Sequence, residues 1–315
     1  MRVLVTGGAG FIGSNYVRGL LQGRLPGEQP SSVVVIDKLT YAGSRDALAD
    51  VSDDVRLRFV HGDICDAALV GPLMAEADVV VHAAAESHVD RSIADASLFV
   101  MTNVVGTQVL LDAAAHHGVD RFVQVSTDEV YGPVEDGSVT EDAPLLPVNP
   151  YAASKAAADL VALAYHRTHG VPVCVTRGSN TFGPHQYPEK LVPLFITRLA
   201  RSQTVPVYGD GKQVREWLHV DDHCQGIGRV AVAGQSGEVY NVGGGTALTN
   251  LEMVDRLLAQ TGADPGLVRH VDDRKGHDQR YSVSIQKITD ELGYCPLRTI
   301  DEGLAETVRW YRERV

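Results

Sequence analysis

A doubly wound α/β fold, with a mostly parallel sheet covered by helices on both faces, follows from three features of this 315-residue chain. Its short strands are β-branched and nearly continuous in apolar residues, as strands buried on both faces must be. They alternate with helical stretches, the mark of βαβ units. A glycine-rich turn, VTGGAGFIGS, stands between the first strand and the first helix.

The elements follow in order. RVLVTG is the first strand and SNYVRGLL continues into its helix. SVVVID, LRFVHGD and DVVVHAA are the next strands, and LFVMTNVVGTQVLLDAAAHHG is a long helix. RFVQVST, the helix NPYAASKAAADLVALAYHRTHG and the strand VPVCVTRG complete a first region over 1–177. Beyond it Gly and Pro become frequent and strands shorten, so 178–315 is expected to form a smaller, interleaved substrate domain. GEVYNVGGG, near 238–244, reads as a strand returning to the main sheet.

Composition excludes some functions. A net charge of −12 argues against a nucleic-acid surface, which needs a basic patch. It leaves room for an anionic substrate held by a few placed cations. Cys65, Cys174, Cys224 and Cys295 are far apart and form no CxxC pair, which fits reduced thiols and no zinc. HVDDH, His219 to His223, has no standard zinc spacing, so no metal is expected. The chain enters its first strand at once and shows no long apolar run, so a cytoplasmic protein without a membrane span is expected.

Gly7, Gly10 and Gly13 fit GxxGxxG, and Gly8 with Gly10 and Gly13 fits GxGxxG. Such a turn lets the backbone approach a pyrophosphate at the helix N-terminus. Asp37 ends the second strand, where an acid accepts from a ribose 2′-OH and repels a 2′-phosphate. A Rossmann-type dinucleotide site for NAD rather than NADP is expected, with Lys38 the one discordant neighbour. Further on, Asn149 can cap a helix whose first position is Pro150. Tyr151 and Lys155 then lie four apart on one face, and a nearby ammonium favours phenolate. Finally, RFVQVST ends in Thr127, with Asp128 and Glu129 next to it. Ligands bind beyond the carboxyl ends of parallel strands, yet two adjacent acids can equally be a cap or a solvated loop.

TGGAGFIG with YAASK resembles the extended short-chain dehydrogenase/reductase family. AAESHVDRS, STDEVYG, NPYAASKA, PEKLVPLF and YGDGKQVREWLHVDDH are similar to its dTDP-glucose 4,6-dehydratase branch, over nearly the whole chain. The resemblance implies a hydro-lyase that oxidises C4 of a dTDP-sugar, eliminates water across C5–C6 and returns the hydride to C6. In that pattern Glu129 takes the C5 proton, Asp128 serves the C6 hydroxyl, Thr127 bonds the C4 oxygen, and Tyr151 with Lys155 serves the redox step. Ser126 matches the usual serine of the wider family, but this branch gives that role to Thr127. The same pattern puts Phe11, Ile12, Asp37, Lys38, Thr40, Asp63, Ile64, Ala83, Ala85 and Thr102 at NAD. It puts Ser87, Asn180, Glu189, Lys190, Leu191, Pro206, Tyr208, Arg215, Asn250, His277 and Tyr281 at the sugar nucleotide. Arg215 is the expected diphosphate clamp; the alternative is a surface cation paired with Glu216. Trp217 is expected to pack. A homodimer through helices near 95–117 and 151–168 is also implied.

One departure stands out. SNTFGP, Ser179 to Pro184, replaces the branch's SNNYGP, so Thr181 stands where an Asn is expected near the nicotinamide. A sibling 4-epimerase or decarboxylase would keep Tyr151 and Lys155 without needing Asp128 and Glu129. A non-catalytic NAD-sensing module would need neither pair.

Overall fold

The structure, a computed structural model, describes residues 1–273 and 278–314. Its strands are β1 Arg2–Thr6, β2 Ser32–Asp37, β3 Leu57–His61, β4 Val79–His82, β5 Arg121–Thr127, β6 Val173–Gly178, β7 Asn180–Phe182, β8 Val205–Tyr208, β9 Val214–His219, β10 Val239–Val242, β11 Thr246–Thr249 and β12 Val268–Val271. Seven form one sheet in the order β10-β6-β5-β4-β1-β2-β3, and every pair in it is parallel. Alternation along each strand divides it between two cores. Val3, Val5, Val33 and Val35 face one helix layer; Leu4, Val34, Ile36 and Val80 face the other.

The chain builds outward from β1 to β3 and then returns to place β4 on the other side of β1. That reversal opens a crevice at the carboxyl ends of β1 and β4, the place where such sheets bind ligands. β10 crosses back from the second region to pair with β6, Val239 opposite Val175. The second region holds a three-stranded sheet, β11-β9-β7, and a two-stranded one, β12-β8. Its own core includes Phe182, Phe195, Trp217, Leu257 and Leu304.

Two helices frame the crevice. Pro150–His169 starts at Asn149, whose side-chain oxygen accepts from Ala152 N at 2.9 Å, and stops at Gly170 in the left-handed region, φ +71°. Its neighbour, Ser97–His117, is long and apolar enough to cross a membrane by length and composition. This corrects the expectation that no segment of that kind is present. In the fold it packs against Ala67–Ala75 and Pro150–His169, with Leu110, Leu111 and Ala114 in the core. The helix widens to a π-helical turn over Val100–Val105, a distortion common at functional sites.

Candidate active site

Two adjoining clefts open at the carboxyl edge of the main sheet. The first, of about 230 Å³, is lined by every residue expected to hold the dinucleotide, from Gly7 and Gly10 through Asp37, Lys38, Thr40, Asp63, Ile64, Ala83, Ala85 and Thr102 to Tyr151 and Lys155. Its backbone leaves no room for larger side chains: a Cβ at Gly13 would stand 2.2 Å from Gly7 O. Such close packing brings the N-terminus of Phe11–Leu21 to the cleft, where its free amides suit a pyrophosphate. Asp37 accepts from Ala9 N at 2.9 Å and from Leu39 N at 2.8 Å. Each oxygen keeps a second lone pair for a ribose hydroxyl. Lys38 leaves Asp37 alone, because its Nζ pairs with Asp63 at 2.6 Å. The site therefore fits NAD.

The second cleft, of about 360 Å³, is lined by Thr127, Asp128, Glu129 and Tyr151 together with Ser87, Asn180, Glu189, Lys190, Leu191, Pro206, Tyr208, Arg215, Asn250 and Tyr281. His277, also expected there, lies outside the described residues. Phe11, Ile12, Ser126 and Tyr151 belong to both clefts, so they stand at the seam.

The strand-end acids are neighbours in sequence but not in environment. Thr127 caps a single turn, Asp128–Tyr131: its Oγ1 accepts from Glu129 N at 3.3 Å and donates to Asp128 Oδ1 at 3.3 Å. Asp128 is 3% exposed. Burial, with the charges of Glu129 and Glu216 nearby, holds its pKa well above the usual carboxylate range despite Arg215. Both effects favour its protonated form. Glu129 is half-buried and accepts from Asn149 Nδ2 at 3.4 Å. The helix cap thus also touches the second acid.

Tyr151 is buried at the start of its helix, its backbone N–H bonded to Ser92 Oγ at 3.1 Å. Burial and the charge of Glu129 push its phenol up, against a lowering bond from Thr127. Lys155 Nζ donates to Val125 O at 2.6 Å. Burial lowers its pKa to about 8, with Asp159 opposing. Beneath it Asp159, fully buried, pairs with Arg177 at 3.0 Å. This ion pair was not anticipated from sequence, because only the fold brings β6 under the helix. Asn103, in the widened turn, was also missed; its side chain bonds Glu86 N at 2.9 Å and Ser154 Oγ at 2.8 Å.

Arg215 and Glu216 point to opposite sides of β9. Arg215 faces the cleft, with its guanidinium 4.6 Å from the Tyr281 ring and donating to Val214 O and Asp278 O, both at 2.8 Å. Glu216 instead accepts from Gly245 N, Ser282 Oγ and Val283 N. The two are not partners. Trp217 packs in the second core and also lines the cleft. The HVDDH side chains diverge: His219 caps its helix at Asp221 N, Asp222 holds Leu297 N and Arg298 N, and His223 reaches Thr181 Oγ1 at 2.8 Å. Thr181 thus contacts a histidine that sequence reasoning weighed only as a metal ligand.

The sequence profile of the family GDP-mannose 4,6 dehydratase matches residues 4–307. A dTDP-glucose 4,6-dehydratase from Streptomyces antibioticus is 59% identical, covering 99% of this chain and 93% of its own. One from Streptomyces niveus is 56% identical with the same coverage. The crystal structure of DesIV, dTDP-glucose 4,6-dehydratase from Streptomyces venezuelae with NAD and TYD bound, superposes with a TM-score of 0.98 at 59% identity, over 99% of this chain and 97% of that one.

Proposed function

The chain belongs to the GDP-mannose 4,6-dehydratase family, and on that premise we propose how its residues carry out the reaction. It is an NAD-dependent nucleotide-sugar 4,6-dehydratase, converting dTDP-glucose to dTDP-4-keto-6-deoxyglucose. Bound NAD supplies the hydride acceptor for C4, the donor for C6, and a positive ring charge beside Tyr151. Tyr151 takes the C4 hydroxyl proton, and Thr127 bonds that oxygen. The C4 ketone acidifies C5–H, which Glu129 removes as general base, and Asp128 gives its proton to the departing C6 hydroxyl. Arg215 clamps the diphosphate. Glycine-loop amides hold the cofactor's pyrophosphate, and Asp37 holds its ribose.

One observation carries this reading. Asp128 is buried with its pKa pushed up, while Glu129 beside it is half-buried and held by Asn149. Elimination needs one acid and one base, and two carboxylates in different environments divide those roles. A 4-epimerase or decarboxylase has no use for the division. The test is to incubate purified protein with dTDP-glucose and identify the product by mass and NMR. Recovery of a 4-epimer or of unchanged substrate would end the proposal.

We assign residues 1–177 with the returning strand to cofactor binding and 178–315 to the sugar nucleotide. We also propose a cytoplasmic homodimer. All four thiols are free, which suits a reducing compartment. Leu98, Met101 and Leu160 are exposed on the two framing helices, and pairing them across a two-fold axis makes a four-helix bundle. Light scattering would report the dimer mass.

A further inference from the structure

His223 has no part in the chemistry above, yet it lies against the reacting edge. It is 2% exposed, lines the sugar cleft, and presses on the end of β6. A Cβ at Gly178 would stand 2.4 Å from its Cε1 and 2.5 Å from its Nε2. Gly178 is opposite Thr127 in the sheet, so the imidazole sits one strand from the acid triplet.

Its hydrogen bonds fix its proton. Thr181 Oγ1 donates to Ser179 O at 3.0 Å. With that proton committed, the same oxygen accepts from His223 Nδ1–H at 2.8 Å. Nε2 then carries no proton and can only accept. Burial lowers the ring's pKa to about 4, so it stays neutral near pH 7. Nε2 has no hydrogen-bond partner among the described residues. Buried polar atoms are normally satisfied, which points to a donor on a bound molecule.

Two donors could reach this wall, a sugar hydroxyl or the nicotinamide carboxamide. The acids, Thr127 and Tyr151 already serve the sugar. His223 lines the same cleft as Phe11 and Ile12, which also line the dinucleotide cleft. The nicotinamide must come to this seam to meet Tyr151. We infer that His223 Nε2 accepts a hydrogen bond from the carboxamide NH2 of the nicotinamide, and that Thr181 is the positioning residue that fixes the histidine tautomer. The inference rests on NAD binding as proposed above. It gives a defined role to Thr181, because its single hydroxyl locks the acceptor that orients the ring.

The experiment compares NAD with its 3-acetylpyridine analogue, in which a methyl replaces the carboxamide NH2. Purified protein is exchanged against equal amounts of both, passed through gel filtration and denatured, and the bound ratio is measured. Wild type should retain NAD over the analogue by about tenfold, the cost of leaving one buried acceptor unpaired. His223→Leu should lower that preference several-fold, His223→Gln should restore most of it through its amide oxygen, and affinity for dTDP should not change. Thr181→Val, which frees the tautomer, should lower the preference too and serves if His223→Leu does not fold. Equal retention by wild type, an undiminished preference in either His223→Leu or Thr181→Val, or a loss seen only in dTDP affinity would overturn the inference. Wild type that holds neither dinucleotide would overturn both this and the NAD reading.

Discussion

The two clefts are built on different principles. The dinucleotide cleft is mainly backbone: a glycine turn packed to van der Waals limits, a helix N-terminus, and one acid fixed by two amides. The sugar cleft is mainly side chains, drawn from β5, the turn after it, the framing helix, β8, β9 and the loops between. A backbone site stands or falls as a unit. A side-chain site can lose one function at a time. Substitutions should separate the two.

The largest effect is expected in the backbone cleft. In Gly13→Ala the new Cβ meets Gly7 O, an atom with no freedom to retreat. Overpacking of this kind costs roughly 1–3 kcal/mol, so the variant should melt lower and lose bound NAD, and with it all turnover. Denaturing the purified variant and assaying for the dinucleotide checks this; full occupancy would show that the cleft is not the unit described here.

Next come single functions in the side-chain cleft. Tyr151→Phe, Asp128→Asn and Glu129→Gln should each cut turnover ~10²–10⁴-fold, the usual worth of an acid–base group, with little change in substrate affinity. They should fail differently. Glu129→Gln should stop solvent deuterium from entering C5, whereas Asp128→Asn should still exchange it. Near wild-type formation of the 4-keto-6-deoxy sugar by both acid variants would reduce the triplet to a strand terminus. Turnover should also fall as pH rises through about 8, where Lys155 loses its proton.

Arg215→Ala should be smaller and confined to binding. Hydrogen bonds to charged groups contribute ~1.5–3 kcal/mol, so dTDP affinity should weaken roughly 10–100-fold while saturated turnover changes far less. Calorimetry with dTDP decides it, and unchanged affinity removes Arg215 from the clamp.

Asn149→Ala should have the smallest effect and touch both properties. Losing an N-cap costs about 1 kcal/mol, so the melting temperature should drop by a few degrees. Glu129 would lose its contact as well, so turnover should fall several-fold. A stability loss without any kinetic change would mean that the cap and the base are uncoupled.

Legibility followed the same division. The glycine turn, Asp37 at its strand end, the Asn149–Pro150 helix start and the Tyr151–Lys155 spacing are local patterns, each fixed by a few consecutive residues. The structure gathers them where those patterns place them. The Asp159–Arg177 pair, the Asn103 bonds and the Thr181–His223 bond join residues 17 to 51 positions apart, and nothing local announces such partners. Thr181 left a trace as a departure from pattern, but its contact could not be inferred from one position.

The sequence by itself determined the order of strands and helices, the glycine turn after β1, the acid at the end of β2, and the candidate acids at the end of β5, because periodicity and backbone geometry are properties of short segments. Only the tertiary structure decided which of those adjacent acids is buried with its pKa pushed up. Successive residues of a turn or a strand point in different directions, and a pKa depends on the water and charge each direction meets. Asp128 turns inward, where burial and two other carboxylates push its pKa up, and Glu129 turns toward Asn149 and the open cleft. The same rule sent Arg215 to the cleft side of β9 and Glu216 to the interior amides. Paired Lys38 was settled likewise, by an Asp63 that only folding brings beside it.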